Sequence, residues 1–332
     1  MRSKTLPLVL LVGVGRWGEN HLRAWLKLQA KGLCQFAGIY DSDPERIKVI
    51  QKEFSVRAFK SLDQGFSEAL VVDVAVPTQH HFAVTKAALL AGKDVLVEKP
   101  LTETVSQAKE LESIIISSSS VFMVGHLFKY NPALDHVTRL ISEGEIGKIR
   151  FLRGRFMGFR FKERDAGILA TTAIHFIYLS NHLMGREPQT VSAKVHYLLD
   201  KELDDVCSVR LDYGDDQFSL IDSDYFGPVK QRSFDIVGTQ GIIQFDALTQ
   251  DVTIHQKKHM RIGDRFEVYD GTTTHFPTQF QEPLFLELSH FLDCVKERNN
   301  PRTGIDDGIN ILRIIEAAYQ SSRSDKIVVL YD

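Results

Sequence analysis

Cysteine is scarce in this chain of 332 residues. Cys34, Cys207 and Cys294 lie far apart and are odd in number. They show neither a disulfide framework nor a zinc-ligand spacing, which fits a reducing compartment. Long apolar runs are missing as well, and none approaches the roughly 18 residues that a bilayer-crossing helix needs. Arg2 and Lys4 precede a short apolar run at 8–12, but the run breaks at Gly13-Val14-Gly15 and no small-residue cleavage site follows. A secretory signal is therefore not indicated, and the chain reads as cytoplasmic. Neither sign of charge is in excess: 40 Lys and Arg against 43 Asp and Glu give a net charge of −3. That balance supplies no global attraction to nucleic acid or to an anionic membrane, so neither is expected as a partner. Repeats and low-complexity linkers are absent too. What is present, 43% apolar and 25% charged residues, is the composition of a globular chain long enough for two domains.

The first 125 residues alternate short apolar runs with amphipathic patterns. The runs at 8–12, 36–40, 72–76, 95–97 and 122–124 are apolar almost throughout, like parallel strands covered by helices on both faces. Helical patterns at about 17–30, 44–54, 79–91 and 104–118 lie between them. Asp43 can cap the helix opening at Pro44, where proline gives up no needed donor. This alternation predicts an α/β Rossmann domain, a doubly wound parallel sheet, over residues 1–125. After Gly125 the pattern changes. Helices are expected at about 132–143 and 171–184, and strands at 191–197, 206–213, 218–225, 234–237, 242–245, 252–255 and 266–269. Gly-Asp, Gly-Pro and Thr-Gln-Gly punctuation suggests antiparallel hairpins. Two helices, about 283–298 and 305–322, precede a short apolar tail. Residues 126–332 thus read as an α+β substrate-binding and oligomerisation domain with a large, mostly antiparallel, open-faced sheet. A second copy commonly covers such a sheet, so a homodimer or homotetramer is expected.

Gly13-Val14-Gly15-Arg16-Trp17-Gly18 follows a buried strand and opens a helix. The first two glycines permit a tight turn and close approach of backbone to a pyrophosphate, and the third lets helix and strand pack closely. The phosphates would sit on unpaired N–H groups at the helix start, with Arg16 and Trp17 beside them. Asp41 ends the next apolar strand, 23 residues beyond Gly18. A carboxylate there accepts hydrogen bonds from the adenosine ribose and repels a 2′-phosphate, which favours NAD over NADP. Arg16 and Arg46 could still pair a 2′-phosphate, so NADP stays open. A plain glycine turn with a solvated Asp41 would show the same letters.

Glu98-Lys99-Pro100 closes the fourth apolar strand, at the edge where open parallel sheets bind ligands. A lysine there can donate to a substrate oxygen and stabilise a developing alkoxide, although a surface lysine paired with Glu98 would read the same way. Taken together, the glycine turn, Val76-Pro77-Thr78-Gln79-His80-His81, Ala91-Gly92-Lys93 and Glu98-Lys99-Pro100 resemble the Gfo/Idh/MocA oxidoreductases, NAD(P)-dependent sugar and inositol dehydrogenases and their relatives. Gly18-Glu19-Asn20, Glu282-Pro283-Leu284, Phe291-Leu292 and Pro301-Arg302-Thr303 further resemble the subgroup acting on UDP-N-acetylated sugar acids. The resemblance implies that Lys99 is catalytic and that Pro77, Thr78 and His81 line the nicotinamide-ribose region, with Glu98 and Lys99 also at the cofactor. It implies that Gly13, Gly15 and Gly18 cradle pyrophosphate and that Asp41 binds ribose. It also reaches the segment from Gly167 to His175, similar to a family signature in which an aspartate precedes a histidine by four residues. His175 would then be the general base or acid, suited by its near-neutral pKa. The residues alone equally allow a core histidine, since Ile174, Phe176, Ile177 and Leu179 surround it.

One departure matters. Thr171 stands where many members carry aspartate, and threonine cannot hold a charge or take a proton near neutral pH. Either Lys99 and His175 suffice, or a nearby acid such as Asp165 substitutes, or dehydrogenation has been lost. Arg150, Arg153, Arg155, Arg160, Lys162 and Arg164 crowd within fifteen residues. Their alternation suggests cations on one strand face, with Phe159 and Phe161 on the other, and Arg155 as a substrate contact. A solvated sheet face or an oligomer contact fits equally. His126, Tyr130 and Asn131, with Lys129, are further substrate candidates after the last parallel strand. His255 and His259 lack carboxylates at ligand spacing, so no metal is assigned. Three functions remain in view: hydride transfer between NAD and a sugar or nucleotide-sugar, a lyase or glycosidase with transiently reduced NAD, and a non-enzymatic dinucleotide sensor.

Overall fold

The computed structural model describes residues 6–162, 165–199 and 201–330. The chain forms two compact units, one running up to Leu127 and joined by Glu282–Leu312, the other Phe128–Gln281 with the stretch from Arg313 onward. In the first, β1 (Leu8–Val12), β2 (Gln35–Tyr40), β3 (Val71–Val74), β4 (Asp94–Glu98) and β5 (Phe122–Gly125) make a parallel sheet in the order β2-β1-β3-β4-β5. Its helices are α1 (Arg16–Ala30), α2 (Pro44–Phe54), α3 (Leu62–Glu68), α4 (Thr78–Leu90), α5 (Val105–Ile116) and, from late in the chain, α8 (Pro283–Glu297).

Strand alternation divides the core between two faces. Leu10, Val12, Val72, Val74, Val95 and Val97 pack with Ala88, Leu89, Ala108 and Leu111, while Leu11 and Ile39 pack with Leu22 and Ile50. Each fully buried aliphatic side chain contributes about 1.5–3 kcal/mol, which is why these strands carry almost no polar residues. Asp73, Asp94 and Glu98 are the buried exceptions. Helix α2 is capped as expected, with the Asp43 carboxylate accepting from the Glu45 and Arg46 amides. Beyond α8, Thr303 exchanges two hydrogen bonds with Val124, its hydroxyl donating to the Val124 carbonyl at 2.7 Å and the Val124 amide donating to the Thr303 carbonyl at 3.1 Å. That contact covers the open side of edge strand β5.

The second unit holds a nine-stranded sheet built from β6 (Ile149–Met157), β7 (Thr190–His196), β8 (Val206–Asp212), β9 (Phe218–Asp224), β10 (Gln231–Gly238), β11 (Ile242–Asp246), β12 (Asp251–Ile262), β13 (Arg265–Phe276) and β14 (Val328–Val329). The order is β13-β12-β11-β10-β6-β9-β8-β7-β14, antiparallel except where β6 meets β9. Helices α6 (Pro132–Ser142) and α7 (Ile174–Met184) belong here, and α9 (Ile305–Ser324) passes from the first unit into the second. The doubly wound sheet and the mostly antiparallel sheet are both as the sequence predicts.

The basic strip needs correction. β6 ends at Met157, so Arg160 and Lys162 lie beyond the strand and share no strand face with Arg153 and Arg155. Phe159 and Phe161 are almost fully exposed at 85% and 87%. Arg164 lies outside the described residues. No described helix is long and apolar enough to cross a membrane.

Candidate active site

In the first unit, strand order reverses between β1 and β3, the place where open parallel sheets bind ligands at their carboxyl edge. Gly13 has φ +91°, and a Cβ there would stand 2.6 Å from the Ala75 carbonyl oxygen. A Cβ on Gly18 would run into the Gly13 carbonyl. These two glycines let the turn, α1 and the end of β3 pack together. Gly15 is different. A Cβ there meets no protein atom within 4 Å, and its φ of −62° suits any residue. The protein's own packing does not require glycine at 15, whereas close approach of a pyrophosphate does. Gly15 caps α1 with no side-chain hydrogen bond, so no cap side chain competes for the first amides of α1.

Asp41 holds this turn. One carboxylate oxygen accepts from the Val14 amide at 2.8 Å and the other from the Asp43 amide at 2.9 Å. A carboxylate has about four acceptor sites, so capacity remains for ribose hydroxyls. The Arg46 guanidinium donates to the Val14 carbonyl at 2.5 Å and to Glu19 at 2.6 Å. A 2′-phosphate would have to compete with Glu19 for it. Arg16 is exposed. Pro77 and the buried Thr78 begin α4, just after Ala75 meets the turn. His81 is buried, with ring nitrogens 2.8 Å from the Pro100 carbonyl and 2.9 Å from that of Val76. It braces the Pro77 turn against the Lys99–Pro100 segment.

Half-buried Lys99 follows β4 at the same edge. Glu98 turns inward, where its carboxylate accepts from His21 at 3.0 Å and from the Lys99 amide at 3.1 Å. Burial alone would raise its pKa, but His21, Lys99 and the Trp17 indole outweigh that and bring it down to about 2. His126, after β5, is fully buried. Burial pushes it down to about 3, with the Lys99 ammonium adding and the Glu98 carboxylate opposing. It is neutral at physiological pH. One sheet edge thus gathers the glycine turn, Trp17, Asp41, Pro77, Thr78, Glu98, Lys99 and His126.

The second unit carries His175 in the first turn of α7, 8% exposed. Its ring lies 4.6 Å from that of Phe128 and stacks on Phe156 at 6.1 Å. A π-helical turn, Leu169–Ala173, precedes α7, and such turns recur at functional sites. Thr171 is consumed within it, donating to the Gly167 carbonyl at 3.0 Å. Thr172 accepts from Arg160 at 2.7 Å, and the Arg160 and Arg232 guanidiniums lie over the Phe156 ring at 5.5 and 4.4 Å. Asp165 is exposed. The buried acid beside this turn is Asp204, which accepts from the Leu169 amide at 2.8 Å and the Tyr319 hydroxyl at 2.7 Å. Burial pushes its pKa up. A Cβ on Gly167 would collide with that carboxylate. Sequence reasoning missed Asp204; the glycine it requires was the available signal. Arg155 sits on the sheet face opposite Phe156, 4.0 Å from Asp235, away from His175. Asn131 caps α6 by accepting from the Ala133 amide at 3.0 Å, and Tyr130 is buried beside it.

Residues 8–126 match an oxidoreductase family with an NAD-binding Rossmann fold, and residues 138–330 match the C-terminal alpha/beta domain of the same family. The chain belongs to the Gfo/Idh/MocA oxidoreductases. NAD is the cofactor for which the first unit is built, and the open space at Gly15 fits it. Among relatives, the UDP-N-acetylglucosamine 3-dehydrogenase of Acidithiobacillus ferrooxidans is 30% identical over 55% of this chain and 56% of its own length. Its solved structure superposes with a TM-score of 0.80 at 22% identity, covering 96% of this chain and 98% of that one. The NAD(+)-dependent scyllo-inositol 2-dehydrogenase of Bacillus subtilis is 28% identical over 96% of this chain and 95% of its own. Levoglucosan dehydrogenase, solved with NADH and levoglucosan, has a TM-score of 0.84 at 20% identity over 98% of this chain and 100% of that one. At such identities these solved structures speak to the fold.

Proposed function

We propose that this Gfo/Idh/MocA oxidoreductase moves hydride between NAD and a hydroxyl or ketone of a sugar or nucleotide-linked sugar. The observation that carries the proposal is the opening at Gly15, lined by uncapped amides and set on the same sheet edge as Lys99. The relatives named above, all dehydrogenases of sugars or inositols, support the substrate class. NAD, when bound, supplies the hydride acceptor or donor at its nicotinamide ring. The turn amides would hold its pyrophosphate, and Asp41 its adenosine ribose. Lys99 would donate to the substrate oxygen and stabilise negative charge developing there. His175 would take the hydroxyl proton, or return it in reverse. Thr171 cannot share that proton, because its hydroxyl already serves the Gly167 carbonyl and has no acidic pKa near neutrality. The outer face of the nine-stranded sheet would be covered in a homodimer or homotetramer, which light scattering can measure.

The test is a panel of sugars, inositols and UDP-sugars assayed with NAD and NADP, read by nicotinamide absorbance and mass spectrometry. Product with matching NADH is the expected result. Product without NADH accumulation would replace dehydrogenation by a lyase or glycosidase reaction. Tight NADH binding with no product from any member of the panel would point to a sensor.

A further inference from the structure

Beneath Lys99 lies a buried charged group that hydride transfer does not itself use. It joins four elements: His21 of α1, Asp73 of β3, Glu98 of β4 and Glu287 of α8, each at most 4% exposed. The His21 ring is held at both ends, Nδ1 at 2.7 Å from Asp73 Oδ2 and Nε2 at 3.0 Å from Glu98 Oε1. Both partners are carboxylates, so both nitrogens donate and the ring is an imidazolium. Burial opposes that charge, but Asp73 and then Glu98 overcome it and hold the pKa well above the usual histidine range. The Trp25 indole donates to Asp73 at 2.6 Å. Trp17, from the glycine turn, hydrogen-bonds to Glu98 and packs edge-on against the His21 ring at 5.7 Å. The second Glu98 oxygen accepts the Lys99 amide at 3.1 Å. Across the ladder, Glu98 pairs with Gly125, where a Cβ would crowd Glu98 Oε1 at 2.9 Å. The sheet therefore makes room for this carboxylate.

The charges can be counted. His21 carries +1, Asp73 and Glu98 carry −1 each, and Lys99 above them restores neutrality. Among the described residues Glu287 has no hydrogen-bond partner, and burial, with the Glu98 and Asp73 charges adding and His21 opposing, raises its pKa well above the usual carboxylate range. His126, next to Glu98, is neutral. Buried ion pairs are a poor way to gain stability, since apolar residues of the same volume usually serve as well or better. Their best-attested use is registry.

We propose that His21 is a positioning residue for Lys99: clamped between Asp73 and Glu98, it fixes the one carboxylate to which both the glycine turn, through Trp17, and the Lys99 backbone are tied. The dinucleotide turn and the lysine are thereby set in one register. The inference rests on Lys99 being catalytic for its kinetic consequence, but not for its structural one.

The chain has two tryptophans, and both hydrogen-bond to this group, so tryptophan emission, excited apart from the nine tyrosines, reports on it. His21→Gln keeps an amide donor while losing the charge and the two-ended grip. It is expected to fold with native far-UV dichroism, to shift the tryptophan emission, and to speed hydrogen exchange of the peptide containing Lys99 tenfold or more. With a substrate from the panel, kcat should fall roughly 10- to 100-fold while the dissociation constant for NADH changes less than threefold. Adding Glu98→Gln should cost little more than either change alone. Unchanged exchange around Lys99 in folded His21→Gln would overturn the proposal without any substrate. So would faster exchange with unaltered kcat. Should His21→Gln not fold, 15N-histidine spectra of the unaltered protein decide: both His21 nitrogens protonated from pH 5 to 9 supports the clamp, and a midpoint near 6.5 overturns it. Full turnover by Lys99→Ala would instead remove the catalytic role of Lys99, leaving the exchange and spectral results to stand separately.

Discussion

Gly15→Ala and Gly18→Ala should have opposite effects, although both add one methyl group to the same turn. At Gly15 the new Cβ has no protein neighbour within 4 Å and the backbone is already in a common conformation. Alanine at a helix N-cap costs about 0.5–1 kcal/mol relative to glycine, and a roughly 0.4–1 kcal/mol gain from a stiffer unfolded chain offsets most of it. Tm should move by no more than about 2 °C. The same methyl projects into the space where a pyrophosphate must approach the backbone, and forcing an extra methyl into a close contact costs about 1–3 kcal/mol. That is about a five- to 150-fold loss of NADH affinity. At Gly18 the methyl meets the backbone carbonyl of Gly13, which has no flexible end that could yield. There the penalty falls on folding, and Tm should drop several degrees with or without NADH. Thermal melts and fluorescence titrations with NADH measure both quantities. A Gly15→Ala protein that binds NADH as tightly as the parent would refute the placement of the pyrophosphate.

Other perturbations test separate parts of the site. Lys99→Ala should cost about 10²–10⁴-fold in turnover while NADH affinity stays within a few fold, as titration and steady-state rates will show. Asp41→Asn keeps an oxygen for the Val14 amide but loses the charge, so the preference for NAD over NADP should shrink at least about tenfold in paired titrations. Stability should peak near pH 6.5. His126, pushed to about 3, and His182, pushed to about 4 by burial and the nearby Lys129, gain protons only on unfolding, so each removes about 1.4 kcal/mol per pH unit as pH falls below 6.5. His21 has the opposite sign. It stays charged in the fold and loses its proton only when unfolded, so its contribution is full below 6.5 and declines above; Glu287 behaves alike from about pH 4.5 upward. Urea titrations at pH 5, 6.5 and 8 check the peak, and stability climbing steadily to pH 8 would contradict it.

The sequence displays the dinucleotide unit clearly because a parallel sheet buried on both faces must be apolar, and because a glycine turn leaves its own spacing. Helix α3 escaped notice: its seven residues include Gly65 and are too few to show a period. The strand expected at 252–255 is the buried part of β12, whose remainder is largely exposed and loses the alternation, and the one expected at 266–269 lies in β13, which is exposed along nearly its whole length. The π-helical turn before α7 leaves no mark in the letters, since Leu169–Ala173 fits an α-helix equally well. Least visible was the buried charged group. His21, Asp73, Glu98 and Glu287 are scattered along the chain, and no spacing links them; the sheet and α8 bring them together. Asp204 escaped for a related reason, since a carboxylate in a loop reads as solvated unless the glycine that accommodates it is recognised.

The chain leaves its first unit at Leu127 and returns only at Glu282. During synthesis the nucleotide unit therefore stays unfinished until α8 and Thr303 have emerged, so the open edge of β5 and the pocket awaiting Glu287 face solvent or a chaperone meanwhile. At about 5–20 residues per second, the roughly 150 intervening residues impose a delay of about 8–30 s. A nascent chain stopped short of Glu282 should accordingly be cleaved by protease within the parallel sheet, and the completed one should not.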